Sequence, residues 1–141
     1  MARDAFLTFR LDQVSAAARA RASQVYKREL GLNIRELRVI RAIGDEPGLS
    51  SRALSEATLI EQTLVSKHLR KLVDAGHVRR DLESADARRV SLRLTPKGDA
   101  VRREADRLGE TMERDFLAVL TPEELEAFNL CLAKLKSWGA P

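Results

Sequence analysis

The stretch LVSKHLRKLVDAGHVRRDLESADARRVSLRLTPKG, residues 64–98, decides the fold. Its first part carries apolar residues at helical spacing and then reaches Gly76, a residue that commonly follows a helix end. Its second part reads as two strands, 77–84 and 88–95, around the polar link SADA. From Val90 the alternation places Val90, Leu92 and Leu94 on one face of a half-buried strand. The stretch therefore predicts a helix followed directly by a small hairpin.

Positive charge is concentrated in and around this hairpin. Residues 50–98 carry ten Lys and Arg against six acids, and residues 1–49 carry nine against six. Residues 99–141 carry six against nine, and the whole chain has a formal net charge of +4. A net positive charge is compatible with a nucleic-acid partner but does not prove one.

Upstream, the apolar spacing predicts one long helix over about the first 30 residues, ending near Gly31. A second helix follows Asn33, which can form a capping box with Glu36. Its predicted buried stripe is Ile34, Leu37, Ile40 and Ile43. After the break at 45–48, Ser50 caps a short helix whose inward residues are Leu54 and Ala57, and TLI, 58–60, is a tight connection.

The helix after that connection runs from about Glu61 to Ala75, with Leu64, Val65, Leu69, Leu72 and Val73 as its apolar residues. Beyond the hairpin, Thr95 and Pro96 start a long helix that runs to about Leu120. A capping box of Thr121 and Glu124 starts the last helix, which ends near Trp138–Gly139.

This order defines a mainly α (α+β) fold, a winged helix-turn-helix. We expect residues 31–99 to form the DNA-binding region, and residues 1–30 and 100–141 to form a helical dimerisation region, within one structural domain overall. The terminal helices carry apolar residues that one small core could not all cover. They are Phe6, Leu7, Leu11, Val14, Phe116, Leu117, Leu120, Phe128, Leu132 and Leu135. The alternative is that they pack within a single chain.

The polar face of the helix from Glu61 suits the edges of DNA bases in the major groove. The predicted base contacts are Gln62, Thr63, Ser66 and Lys67, with Arg70 nearer a phosphate. At the hairpin tip, Arg88 would enter the minor groove, and Asp86 would hold it or a neighbouring arginine. Phosphate contacts are expected from Arg79, Arg80, Arg89 and Arg93.

Three alternatives compete with DNA recognition. The helix face could be an ordinary solvated surface, and the hairpin charges could simply discourage edge-to-edge aggregation. The winged helix could bind a protein, although such a module needs no arginine cluster. An enzyme is the third alternative, but the chain lacks a Gly-rich phosphate loop, a nucleophile elbow and a His-Glu metal motif.

The chain resembles the MarR family of transcriptional regulators. The helix order matches over nearly the whole chain, and the strongest motif lies in residues 49–98. The resemblance lies in the wing pattern, an Asp-x-Arg followed by alternating apolar residues and Thr-x-x-Gly: Asp86, Arg88, Leu92, Leu94, Thr95 and Gly98. One departure is Glu61, where related sequences often have a Ser or Asp cap. The resemblance implies a homodimeric repressor that binds a near-palindromic operator and is released by a small ligand, often aromatic or phenolic.

The resemblance also implies an effector pocket between the dimer helices and the DNA-binding lobe. Arg19, Tyr26 and Arg38 could receive an anionic group there, although each could instead be a surface or interhelical contact.

The remaining chemistry is sparse. The lone Cys131 is expected to be a buried structural residue in the last helix, and His68 and His77 are not spaced as metal ligands. His68 could touch the DNA backbone, and His77 is expected to begin the wing. We expect no metal or cofactor. The polar start of the chain and the absence of a long apolar run indicate a cytoplasmic protein.

Overall fold

Six helices and one antiparallel hairpin make up residues 6–82 and 90–139, the part of the chain that the computed structural model describes. The elements are α1 (Leu7–Leu30), α2 (Ile34–Asp45), α3 (Ser51–Thr58), α4 (Gln62–Asp74), β1 (Val78–Leu82), β2 (Val90–Leu94), α5 (Pro96–Leu117) and α6 (Pro122–Trp138). This order confirms the predicted winged helix-turn-helix. The main differences in length are that α4 starts one residue later than predicted and α5 ends at Leu117 instead of about Leu120.

Side-chain caps begin several of these helices, as the sequence predicts. The Asn33 side chain accepts from the backbone N–H of Glu36, whose carboxylate accepts from the N–H of Asn33. Thr121 and Glu124 form the same box at α6. Glu61 precedes α4 without a side-chain capping hydrogen bond, so the departure from the family pattern leaves this helix start without that cap.

The winged-helix lobe consists of α2, α3, α4 and the hairpin, and its core is formed where these elements meet. Its largest fully buried apolar side chains are Leu37, Ile40, Ile43, Leu54, Leu69, Leu72 and Leu92. Ile34 is only half-buried, and the prediction that Ala57 faces inward is wrong. Thr58 is buried instead, and its hydroxyl donates to the carbonyl of Leu54 at 2.7 Å, which satisfies a polar group inside the core.

The hairpin pairs Val78 with Leu94 and Arg80 with Leu92. The predicted burial alternation fails in part: Ser91 is buried, whereas Val90 is 36% exposed. Val90 pairs with Leu82 at the far end of the strands, away from the core, and Leu82 is also exposed. The burial of a strand residue therefore depends on its position along the hairpin as well as on the alternation of the strand.

Hydrogen bonds and close backbone contacts at the base of the hairpin explain the Thr-x-x-Gly part of the motif. The Thr95 hydroxyl donates to the carbonyl of Gly76 at 2.5 Å and accepts from the N–H of Gly98. A Cβ at Gly98 would collide with the backbone carbonyl of His77. Lys97 donates to the carbonyl of Ala75 at 2.7 Å. The end of α4, the hairpin and the start of α5 are thereby joined.

One compact unit of the chain ends at Leu108, and a second begins at Gly109. The second unit contains α6, which has no buried residue. Cys131 is therefore exposed, and the prediction of a buried cysteine is wrong for the single chain.

Candidate nucleic-acid interface

The outer face of α4 presents a continuous polar surface. Every residue predicted to contact DNA from this helix is exposed: Gln62, Thr63, Ser66, Lys67 and Arg70. The opposite face is anchored in the core by Val65, Leu69 and Leu72. Because residues three and four apart share one side of a helix, the exposed residues form one surface that is widest at the N-terminal end.

A tight turn sets the direction of α4 relative to α3. Leu59 adopts a left-handed conformation with φ of 56° and is 90% exposed, while the next residue, Ile60, is buried. The Ser55 hydroxyl donates to the carbonyl of Ile60 at 2.6 Å. A non-glycine residue in this region carries backbone strain, which the surrounding contacts must hold in place.

The described part of the wing carries exposed arginines on both of its faces. Arg79 and Arg80 are both exposed, but as neighbours in a strand they point to opposite sides. Arg79 and Arg93 lie opposite each other and approach the carboxylate of Asp81 at 3.4 and 3.5 Å. Exposed ion pairs of this kind contribute little energy, so both arginines remain available to a phosphate. The predicted tip residues Asp86, Arg88 and Arg89 lie outside the described residues.

One ion pair next to the reading helix, between the buried Glu36 and the exposed Lys71, was not anticipated from the sequence. Glu36, with a side chain only 2% exposed, accepts from Lys71 of α4 at 2.6 Å. The same carboxylate completes the capping box of α2. Glu36 thus connects the start of α2 to the flank of the helix that would read DNA. Its position in a capping box was visible in the sequence, but its link to Lys71 depends on how the two helices pack.

His68 lies on the same flank of α4, half-buried. Burial lowers the pKa of His68, and the positive charges of Arg35, Lys67 and Lys71 add to this, although Glu36 opposes it. These surroundings favour the neutral imidazole. Burial and Lys97 likewise lower the pKa of His77, which is buried at the base of the wing.

A cavity of about 690 Å³ lies between α1 and the start of α2. It is lined by two of the three residues predicted to bind an effector, Arg19 and Arg38, together with Ser23, Asn33 and Arg35. Arg38 also donates to the carbonyl of Thr58 at 3.5 Å, at the end of α3. Sequence reasoning did not identify Arg35, because only the packing of α1 on α2 brings it to the same cavity.

Tyr26 is not among the residues that line this cavity; it is 5% exposed. Its hydroxyl accepts from Arg41 at 3.3 Å, and the Arg41 guanidinium lies 5.7 Å from the ring centroid. Arg41 also donates to Asp106 at 2.8 Å and to the carbonyl of Ala105, so it joins α1, α2 and α5. Burial lowers the pKa of Arg41, but the hydrogen bonds to Tyr26 and Asp106 outweigh it and raise the pKa overall.

Within residues 6–82 and 90–139, no group of three or more His, Cys, Asp and Glu is arranged to hold a metal ion. None of the helices in this part of the chain is long and apolar enough to cross a membrane.

An exposed polar helix set in a helix-turn-helix and followed by a basic hairpin defines a winged-helix DNA-binding protein. Comparisons with known proteins point to the same class of protein. Residues 30–89 match the family model described as MarR family. The transcriptional regulator HosA of Escherichia coli is 35% identical over 97 residues, which cover 69% of this chain and 72% of HosA.

The HTH-type transcriptional repressor Rv2887 of Mycobacterium tuberculosis is 32% identical over 137 residues, 97% of this chain and 98% of the relative. Its structure in complex with DNA has a TM-score of 0.80 at 31% identity, covering 97% of this chain and 100% of that chain. Its complex with salicylic acid has a TM-score of 0.78 at 32% identity, with 96% and 99% covered. This protein belongs to the MarR family of DNA-binding transcriptional regulators.

Proposed function

We propose that the protein is a homodimeric repressor that binds a near-palindromic operator and is released by a small aromatic acid. The observation that carries this proposal is the exposed polar face of α4 beside a hairpin rich in arginine. The two relatives reported above are named transcriptional repressor and transcriptional regulator. We further propose that the protein acts in the cytoplasm, has no catalytic role and requires no cofactor.

In this proposal, α4 enters the major groove and the wing follows the adjacent minor groove. Gln62, Thr63, Ser66 and Lys67 contact base edges, since amide, hydroxyl and ammonium groups match the donors and acceptors found there. Arg88 enters the minor groove, and Asp86 holds it or a neighbouring arginine. The phosphate contacts are Arg70, Arg79, Arg80, Arg89 and Arg93.

The proposal of a homodimer rests on apolar side chains that are exposed in the single chain. Those at the two ends of the chain are Phe6, Leu7, Leu11, Val14, Phe116, Phe128, Leu132 and Leu135, each at least 37% exposed. Leu117 and Leu120, two further residues of the predicted interface, are half-buried. Apolar surface of this extent marks an interaction site. Sedimentation should give a particle of twice 15.8 kDa, and a monomer at micromolar concentration would contradict the two-fold geometry.

The proposed effector site is the cavity between α1 and α2. Arg19 and Arg38 can receive a carboxylate, and a volume of about 690 Å³ is typical of a small-molecule site. The M. tuberculosis relative has been crystallised with salicylic acid, an aromatic carboxylate. Tyr26, predicted alongside these arginines, does not line this cavity, and its hydroxyl accepts from Arg41 instead.

Two contacts can transmit ligand binding to the DNA-reading helix. Arg38 lines the cavity and also donates to the carbonyl of Thr58, next to the strained turn at Leu59. Asn33 lines the cavity as well, and through its capping box it holds Glu36, the partner of Lys71 on α4. A ligand that recruits Arg38 or displaces Asn33 therefore favours a different setting of α4, which shifts the population away from the DNA-binding form.

Selection from a library of random duplexes at low ionic strength tests the proposal. We expect the enriched sequences to contain an inverted repeat with half-sites about one helical turn apart. Lys67→Ala should change the preferred bases, because removing a good hydrogen-bonded pair with a base costs about 1–3 kcal/mol of discrimination, whereas Arg70→Ala should weaken all sequences alike. Retention of no duplex would overturn the function, and an equal decrease on all sequences for Lys67→Ala would make Lys67 a phosphate contact.

A further inference from the structure

Three arginines, Arg19, Arg35 and Arg38, line the cavity between α1 and α2. Within the described part of the chain, none of them forms an ion pair with an acid. Arg19 donates to the hydroxyl of Ser15 at 2.9 Å, and Arg38 donates to the carbonyl of Thr58, so both have only neutral partners. The cavity thus gathers three positive charges that the surrounding chain does not balance.

The position of Arg35 is unfavourable for the helix on which it lies. It is the second residue of α2, where the helix dipole favours acids and disfavours cations. The one acid of that first turn, Glu36, is already committed to Asn33 and Lys71. Neither helix stability nor a local partner accounts for a cation at this position.

We infer that the cavity binds an aromatic ligand that carries two negative charges, with Arg35 binding the second. The inference rests on the proposed function and makes it more specific. A monocarboxylate can take one two-pronged hydrogen bond from one guanidinium, which leaves the other arginines unmatched. A second carboxylate, or a phosphate, on the same ring satisfies another guanidinium, and the cavity volume of about 690 Å³ leaves room for it.

Salicylate and 4-hydroxyisophthalate form a matched pair of probes, because the second compound is salicylate with an added carboxylate. Titration calorimetry on the full-length protein at fixed ionic strength should give at least about tenfold tighter binding of the dianion. Arg35→Gln should remove this preference, so that the two compounds bind with about equal affinity. Arg35→Lys should restore part of it, because the charge remains while the fork geometry is removed. Arg28→Gln, an exposed arginine on α1 that does not line the cavity, is the control.

The outcomes separate this inference from the proposed function. If both compounds bind equally and release DNA, the effector site stands and the second charge is refuted. If neither compound binds, the proposed effector site and the second charge are both overturned, whereas DNA binding is decided by the duplex selection. If Arg35→Gln leaves the preference intact but weakens DNA binding and lowers its salt dependence, Arg35 is a phosphate contact and the inference fails.

Discussion

The winged-helix lobe and the C-terminal helix α6 differ in how far their apolar residues are buried within the chain. In the lobe, Leu37, Ile40, Leu54 and Leu72 are fully buried by neighbours within the chain. In α6, Phe128, Leu130, Leu132, Leu135 and Trp138 are all exposed, and the helix has no buried residue. The lobe therefore has a core of its own, whereas the apolar side chains of α6 are left exposed in the single chain. The following experiments test that contrast, from the largest expected effect to the smallest.

Leu72→Ala and Leu132→Ala compare the same substitution in the two regions. Leu72 is fully buried, so its truncation should lower the free energy of unfolding by about 3 kcal/mol at any protein concentration. Leu132 is 38% exposed in the single chain. Its truncation should instead weaken the dimer and make the unfolding temperature more dependent on concentration. Denaturation at two protein concentrations, with sedimentation, distinguishes them; equal, concentration-independent decreases would remove the contrast.

Gly98→Ala and Gly139→Ala compare two glycines in the same way. A Cβ at Gly98 meets the backbone carbonyl of His77, which cannot move aside as a flexible side chain would, so we expect the free energy of unfolding to fall by about 2 kcal/mol. A Cβ at Gly139 meets nothing within 4 Å, and the substitution should be almost neutral. Thermal unfolding measures both. An unchanged unfolding temperature for Gly98→Ala would show that the base of the wing and the start of α5 are not tightly packed.

Arg88→Ala separates DNA binding from assembly. We expect at least tenfold weaker operator binding, about 1.4 kcal/mol, because a minor-groove arginine is removed. Dimerisation and thermal stability should be unchanged, unlike the result for Leu132→Ala. Fluorescence anisotropy with an operator duplex measures the affinity, and Arg103→Ala on α5 is the matched control. Unchanged affinity would mean that the wing tip has been assigned wrongly.

The smallest expected effect is the pH dependence of stability that His68 and His77 give to the winged-helix lobe. The pKa values of His68 and His77 are lowered from 6.5 by burial, so the unfolded chain binds protons more readily than the folded one. The stability from these two groups is present above pH 6.5 and is lost as the pH falls through the lowered values. Denaturation at pH 7.5 and 5.5 should show the decrease, and His68→Gln should reduce it. A decrease of the same size in the variant would exclude His68.

Much of the fold was predictable because its signals are local. The helix ends follow from Gly31, Asn33, Ser50 and Thr121, whose conformations and hydrogen bonds are as the sequence indicates. The polar face of α4 follows from the helical spacing of its apolar residues alone. The errors arose where packing overrides the pattern: Thr58 is buried in place of Ala57, and Cys131 is exposed because α6 has no buried face in the single chain.

The sequence by itself determined the order of the elements, their caps, and the charge beside the reading helix, since these depend on neighbours within a few residues. Only the tertiary structure placed Glu36 against Lys71, Arg41 between three helices, and Arg35 in the cavity with Arg19 and Arg38. These groups are separated along the chain, by 35 residues for Glu36 and Lys71. The way one helix packs on another, and no local pattern, brings such residues together.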